Sequence, residues 1–100
     1  MTYKVVFTHR ANQDFYSILD YIAQDSPVTA LKFIDELQGR IKTILSSFPL
    51  SGKNYKDSVR YFVFGNYIAV YEVQEAEKEV TVYMVSERHR HWQAVLNKRL

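Results

Sequence analysis

Several basic side chains near the end of the chain, together with one arginine earlier in the sequence, are of the residue types that can catalyse RNA cleavage. Arg88, Arg90 and His91 lie within four positions, and Arg60 lies in an apolar stretch. RNA cleavage through the 2′-hydroxyl needs a base, an acid for the leaving oxygen and cations on the phosphate. His91 could supply a proton near neutral pH, and the arginines could bind phosphate through paired hydrogen bonds. The same residues also fit a basic surface without catalysis.

The base is the least defined member of such a site. Glu87 is one candidate, and Lys53 or Lys56 is another. A lysine base would need a pKa well below its ordinary value. The sequence leaves this choice open.

Aromatic side chains lie close to these cations along the chain. Trp92 and Tyr55 could stack nucleic-acid bases beside the positive charge. They could equally be core residues, because aromatic residues at period-two spacing usually pack across neighbouring strands. For Tyr71 and Tyr83 we predict the core.

The sequence gives little support to other catalytic chemistries. The chain has no Cys, which excludes thiol chemistry and disulfides. His89 and His91 are one residue apart, but a metal site needs a third and a fourth ligand. The three glycines form no phosphate-binding loop, and Ser51-Gly52 is not a nucleophile motif. We predict no metal, no cofactor and no small-molecule ligand.

The charges alternate in blocks along the sequence. Residues 38–65 carry a net charge of +4 and residues 88–100 another +4, whereas residues 66–87 carry −4. If the fold brings the two basic blocks together, they form a positive surface for phosphate or for an acidic protein. Solvated charge that keeps the protein in solution is the alternative.

Two helices must precede the basic region. Residues 10–48 predict a helical hairpin, because their apolar positions repeat every three to four residues. Ser26-Pro27 predicts the start of the second helix, and Phe48-Pro49 its end.

Strands flank the hairpin. Tyr3–Thr8 predicts a first strand, and Leu50–Asp57 a loop. Three strands in an antiparallel meander follow, the first two joined by a Gly65-Asn66 turn, and a short helix ends the chain: Ser58–Phe64, Tyr67–Gln74, Val80–Ser86 and Arg88–Leu100. This order, β-α-α-β-β-β-α, is an α+β fold in which the hairpin covers one side of the sheet that the first strand joins.

Length and composition are those of one globular domain over residues 1–100. The chain is 47% hydrophobic and 24% charged, which excludes a disordered chain. Uncharged stretches such as Thr43–Gly52 and the longest one, Tyr61–Tyr71, are too short to cross a membrane, and the N-terminus lacks the pattern of a secretory signal. We therefore expect a cytoplasmic protein with no membrane partner.

The order of elements resembles the RelE/ParE superfamily of toxins from type II toxin–antitoxin systems. The long hairpin and the loop after it are similar to the ParE-like branch in particular. An ordered set of local sequences carries the resemblance across nearly the whole chain: Tyr3–Thr8, Asp20–Ala23, Ser26–Pro27, Ala30–Leu37, Phe48–Lys53, Val59–Arg60, Gly65–Tyr71 and Arg88–Trp92.

The resemblance implies a toxin that is neutralised by a cognate antitoxin whose extended segment lies across it. ParE-like members inhibit DNA gyrase and cleave no RNA, and this is the expected function. RelE-like members cut mRNA on the ribosome, which is the alternative. A toxin fold that has lost its toxicity is a third reading.

The two activities imply different roles for the basic residues. In a RelE-like nuclease, Arg60 matches the strand arginine, and Arg88 or Arg90 matches the second catalytic arginine, with His91 beside them. Trp92 stands where such enzymes often carry Tyr, and the lysines are spaced more loosely than theirs. In a gyrase inhibitor the candidate contacts with the target are Lys53, Lys56, Arg60, Arg90 and Trp92.

Overall fold

The structure, a computed structural model, describes residues 2–99. Its elements form one small sheet and three helices, and all the predicted helices and strands are present. In chain order they are β1 (Lys4–Phe7), α1 (His9–Ala23), α2 (Pro27–Ser47), β2 (Lys53–Lys56), β3 (Val59–Phe64), β4 (Tyr67–Gln74), β5 (Glu79–Glu87) and α3 (Trp92–Arg99).

Side-chain caps fix the starts of both hairpin helices. The Thr8 hydroxyl accepts a hydrogen bond from the Ala11 amide at 3.1 Å, and the Ser26 hydroxyl accepts one from the Thr29 amide at 3.3 Å. Pro27 occupies the first turn of α2, where its missing N–H leaves no hydrogen bond unmade. The predicted restart of the helix at this serine is confirmed.

The sheet has five strands in the order β1-β5-β4-β3-β2. The β3-β4-β5 meander is antiparallel as predicted, and β1 joins it by pairing in parallel with β5. The prediction of a loop over Leu50–Asp57 is wrong in part, because residues 53–56 pair with β3 as an edge strand. The sequence Lys-Asn-Tyr-Lys shows no apolar alternation, so only the neighbouring backbone of β3 specifies this strand.

Helices cover both faces of the sheet. The hairpin face holds the larger core, in which Phe15, Leu37 and Ile41 pack against side chains such as Tyr71 and Val82. The opposite face is covered by α3, whose Trp92 and Leu96 pack on a second cluster formed by Val59, Ile68, Val70 and Met84. A side chain's place on either face therefore decides which residues it can meet.

Candidate functional site

On the side away from β4, β5 has a neighbouring strand over only the first half of its length. β1 pairs only with residues 79–82, so the rest of β5 has no strand on that side. At this point Val70 pairs with Met84 and Tyr71 with Val82, which makes Tyr83 a bulged residue. A bulge at a sheet edge leaves backbone groups outside the ladder, and those groups need other partners.

An ion pair supplies those partners. Asp14 of α1 accepts a hydrogen bond from the Val85 amide at 3.0 Å, and Arg99 of α3 donates one to the Tyr83 carbonyl at 3.1 Å. The two side chains also bind each other through paired hydrogen bonds of 2.8 and 2.7 Å. Because Asp14 accepts from the guanidinium, the pKa of Arg99 is raised above its ordinary value. The pair thus occupies the place of a sixth strand and ties α1 to α3.

A groove of about 800 Å³ runs over this pair, between α1, the edge of β5 and the start of α3. We call it the β5 groove. Its apolar members are Ile18, Tyr21, Tyr67, Met84, Val85, Trp92 and Val95, and its polar members are Asp14, Ser17, Ser86, Glu87, Arg90, His91 and Arg99. The groove thus combines apolar contact surface with hydrogen-bonding groups, as binding sites commonly do.

Three of the sequence-predicted candidates line this groove with exposed side chains, and the first of them, Glu87, is the last residue of β5. Arg90 and His91 lie at the turn between β5 and α3. Arg88, just before them, donates from its backbone to the Asn66 carbonyl at 2.8 Å and lies beside the turn between β3 and β4. These residues form one exposed basic end of the molecule.

Trp92 belongs to the second core. It is only 5% exposed, and its ring centroid lies 5.1 Å from that of Tyr55 and 5.2 Å from that of Tyr61. The alternative in which Trp92 and Tyr55 stack nucleic-acid bases is therefore not supported by their placement. Tyr71 is fully buried as predicted, and Tyr83 is half-buried.

Arg60 lies on the other face of the sheet. It pairs across β3 and β4 with Tyr71, which faces the hairpin, and its guanidinium donates to the Gly52 carbonyl at 2.8 Å. Tyr67, which pairs with Glu87, lies four residues before Tyr71, at the start of β4. That offset corresponds to roughly 13 Å along the strands, in addition to two strand spacings of about 4.8 Å each.

The expected joining of the two basic blocks on the far side of the sheet is therefore a wrong prediction. Arg60 lies on the hairpin face, separated from the Arg88–His91 end both along and across the strands, and α3 with its aromatic cluster covers the face that was expected to collect cations. Lys53 and Lys56 are exposed on β2, three strands away from β5. Arg60 and the two lysines therefore lie apart from the β5 groove, whereas Glu87, Arg90 and His91, a candidate base, cation and acid, line that groove together.

The described residues 2–99 contain no group of three His, Cys, Asp or Glu side chains arranged to hold a metal ion. In the same part of the chain, no helix combines the length and the apolar character needed to cross a membrane.

The sequence matches the family model described as ParE toxin of type II toxin–antitoxin system, parDE, over residues 5–92. The chain belongs to the ParE toxin family. No protein of curated function is significantly similar to it in sequence.

Solved structures with the same fold include both branches of the superfamily to which this ParE-family chain was expected to belong. The chromosomal ParDE system from P. aeruginosa has a TM-score of 0.72 at 20% identity, covering 85% of this chain and 95% of that one. The RelBE2 toxin–antitoxin complex from Mycobacterium tuberculosis has a TM-score of 0.71 at 20% identity, covering 90% and 95%. The isolated E. coli RelE toxin has a TM-score of 0.59 at 17% identity, covering 98% and 99%.

Sequence reasoning missed two polar arrangements in this ParE-family fold. The Asp14–Arg99 pair joins residues 85 positions apart, and neither residue belongs to a recognisable motif. On the α3 face, the hydroxyls of Tyr83, at 2.5 Å, and of Ser58 both donate to Glu72. Burial, followed by the Glu72 hydrogen bond, raises the pKa of Tyr83 to about 12. Only the register of the strands brings these groups together.

Proposed function

We propose that this ParE-family toxin inhibits DNA gyrase and is neutralised by a cognate antitoxin in the cytoplasm. The match to the family over residues 5–92 carries the proposal. The separation of the cations supports it further, because Arg60 binds loop carbonyls on the hairpin face, whereas His91 lies at the β5 groove. The strand arginine that the RelE-like alternative requires therefore lies apart from its other candidate catalytic residues.

The β5 groove is the place that we propose for the antitoxin. The Val85 amide points to the unpaired side of β5, and strand geometry directs the Val85 carbonyl and the Glu87 amide the same way. Asp14 already binds the Val85 amide, so an extended segment would pair with the Val85 carbonyl and the Glu87 amide and place apolar side chains against those of the groove. Several structures with this fold are toxin–antitoxin complexes, including those of M. tuberculosis and E. coli.

A supercoiling assay tests the gyrase proposal. Purified toxin, released from its antitoxin, is added in increasing amounts to gyrase and relaxed plasmid. We expect loss of supercoiling or accumulation of cleaved DNA, and restoration when antitoxin is added back. Normal supercoiling at a large excess of toxin would exclude gyrase as the target.

The Arg88–His91 end supports a second candidate, the ribosome-dependent mRNA endonuclease. These basic side chains are exposed and adjacent, so they could meet a ribosome-bound message. Programmed ribosomes incubated with toxin would then yield cut mRNA, and the cuts would disappear in the His91→Ala and Arg60→Ala variants. Intact message would exclude this activity.

Induction of the chain without antitoxin separates these proposals from a fold that has lost toxicity. An early stop in DNA replication would support gyrase, and an early stop in translation would support the ribosome. Unaffected growth at a verified level of folded toxin would favour the third reading.

A further inference from the structure

The segment between α2 and β2 exposes two large apolar side chains next to each other. Phe48 is 64% exposed and Leu50 is 56% exposed, whereas Pro49 between them and Gly52 after them are buried. We call residues 48–52 the α2–β2 loop. Single exposed apolar residues are common on protein surfaces, but here two of them project from one short loop.

Hydrogen bonds to side chains hold the backbone of this loop. The amide and the hydroxyl of Ser51 both donate to the Phe48 carbonyl, at 3.1 and 2.7 Å. The Gly52 amide donates to the Tyr71 hydroxyl at 3.0 Å, and Arg60 donates to the Gly52 carbonyl at 2.8 Å. Hydrogen bonds thus hold the backbone of the loop at both of its ends.

Close packing also fixes Gly52. A Cβ atom at this position would lie 2.4 Å from the Tyr71 hydroxyl oxygen and 2.7 Å from the Tyr61 carbonyl oxygen. Backbone that is already ordered loses little entropy when a partner binds, so side chains on such a loop bind at a lower cost. Phe48 and Leu50 are therefore presented in a fixed position while remaining in water.

The surroundings of the loop are basic. Lys53 follows it directly and is exposed, Lys56 is exposed on the same edge strand, and residues 38–65 carry a net charge of +4. An apolar pair beside unneutralised cations complements a protein surface that has an apolar pocket bordered by carboxylates.

We infer that the α2–β2 loop is the surface through which the toxin contacts its protein target, with Phe48 and Leu50 inserting into an apolar pocket that has an acidic border. The loop leads into β2, three strands away from the β5 groove. An antitoxin segment in that groove would leave the loop uncovered, which favours the target as the occupant. The inference rests on the proposed function and names the part of the toxin that performs it.

The test uses the full chain, purified through its antitoxin complex, and measures inhibition of gyrase supercoiling. For the double variant Phe48→Ala/Leu50→Ala we expect at least a tenfold higher toxin concentration for half-inhibition. Antitoxin affinity and the thermal unfolding temperature should stay unchanged, because both side chains are exposed. The matched control is Val28→Ala, which removes an apolar side chain that is 78% exposed on α2, and it should inhibit like the wild type.

Two further variants test the position and the charge of the loop. Gly52→Ala keeps both apolar side chains but displaces the loop, so it should also weaken inhibition, provided that circular dichroism shows a folded chain. Lys53→Glu should weaken inhibition severalfold, whereas Lys32→Glu, an exposed charge reversal on α2, should not.

The outcomes separate this inference from the gyrase proposal. A double variant that inhibits gyrase like the wild type would overturn the inference alone. Equal loss of antitoxin binding would also overturn it, since the loop would then belong to the antitoxin site. If the wild type leaves gyrase active but arrests growth, the gyrase proposal fails, and continued arrest by the double variant would overturn the inference as well. A wild type with neither effect would overturn both.

Discussion

The β5 groove and the α2–β2 loop both lie where the chain departs from regular pairing, yet different interactions hold them. At the groove, one ion pair between α1 and α3 replaces a missing strand and leaves an open edge beside it. At the loop, hydrogen bonds and close packing around Gly52 fill the space beneath the backbone, and the apolar side chains of Phe48 and Leu50 remain exposed. The groove can receive a segment of another chain, whereas the exposed side chains of the loop can insert into a pocket of another protein.

The two regions are therefore suited to different kinds of contact. An edge completed by side chains retains unpaired backbone groups, which a partner strand can use. A loop held by its own protein offers no backbone to a partner and contributes affinity through its apolar side chains alone. Substitutions can therefore weaken one region while leaving the other intact.

The largest effect on stability is expected at the groove. Asp14→Ala should lower the free energy of unfolding by about 3 kcal/mol, because it leaves the partly buried Arg99 guanidinium and the Val85 amide without their acceptor. Urea unfolding measures the loss. Asp20→Ala, which removes an exposed carboxylate from the same helix, should change stability by less than about 0.5 kcal/mol. Equal values for the two variants would show that the pair does not hold the edge.

The loop should respond strongly to an added methyl group. Gly52→Ala should cost about 1–3 kcal/mol, because the new Cβ would overlap the Tyr71 hydroxyl and the Tyr61 carbonyl. Gly39→Ala is the matched control, since a Cβ there meets no atom within 4 Å, and an exposed alanine within α2 should stabilise the chain by about 0.5–1 kcal/mol. Thermal unfolding of both variants gives the comparison, and a neutral Gly52→Ala would contradict the packing.

A smaller effect is expected from the cation beneath the loop. Arg60→Ala should destabilise the chain by about 1 kcal/mol, because the Gly52 carbonyl loses a charged donor but can turn to water instead. Arg90→Ala, which removes an exposed guanidinium, should leave stability nearly unchanged. If both arginines behave alike in denaturant titrations, Arg60 has no structural role in the loop.

The smallest effect is expected in alkaline solution. The pKa of Tyr83 in the folded chain is raised to about 12, above its ordinary value of 10.0. Since the folded state holds this proton more tightly, the contribution is complete below pH 10 and is lost as the pH rises from 10 to about 12. For this half-buried group we expect a loss of at most about 1 kcal/mol.

Tyr83→Phe isolates that contribution from other groups that titrate in the same range. The stability of the variant should fall less steeply between pH 10 and 12 than that of the wild type, as followed by urea titration at each pH. Parallel curves would show that the phenol of Tyr83 makes no alkaline contribution.

Much of the fold was predictable because the signals are local. The hairpin helices follow from apolar residues at three- and four-residue spacing, and the restart of the second helix follows from Ser26-Pro27. The meander follows from period-two alternation on both sides of Gly65, whose positive φ of 63° suits the tight turn. The edge strand β2 was not predictable, because its pairing is specified by β3 rather than by its own residues.

The candidate site was much less predictable. The alternation visible in the sequence places Arg60 on the same face of β3 as Phe62 and Phe64. Only the packing of the helices on the sheet decides which of them cover that face. The basic end at Arg88–His91 was expected beside it, but the strand register separates the two regions by four residues along the strands and by two strands across the sheet.

The sequence by itself determined where this chain forms its helices and every strand except β2, and it contained the residues that indicate the ParE family, because both depend on neighbours within a few positions. The tertiary structure alone decided that Asp14 and Arg99 complete the edge of β5 and that Tyr71 and Arg60 fix the α2–β2 loop. Those groups are brought together by the register and twist of a sheet whose strands are distant in sequence, and no local pattern specifies such pairings.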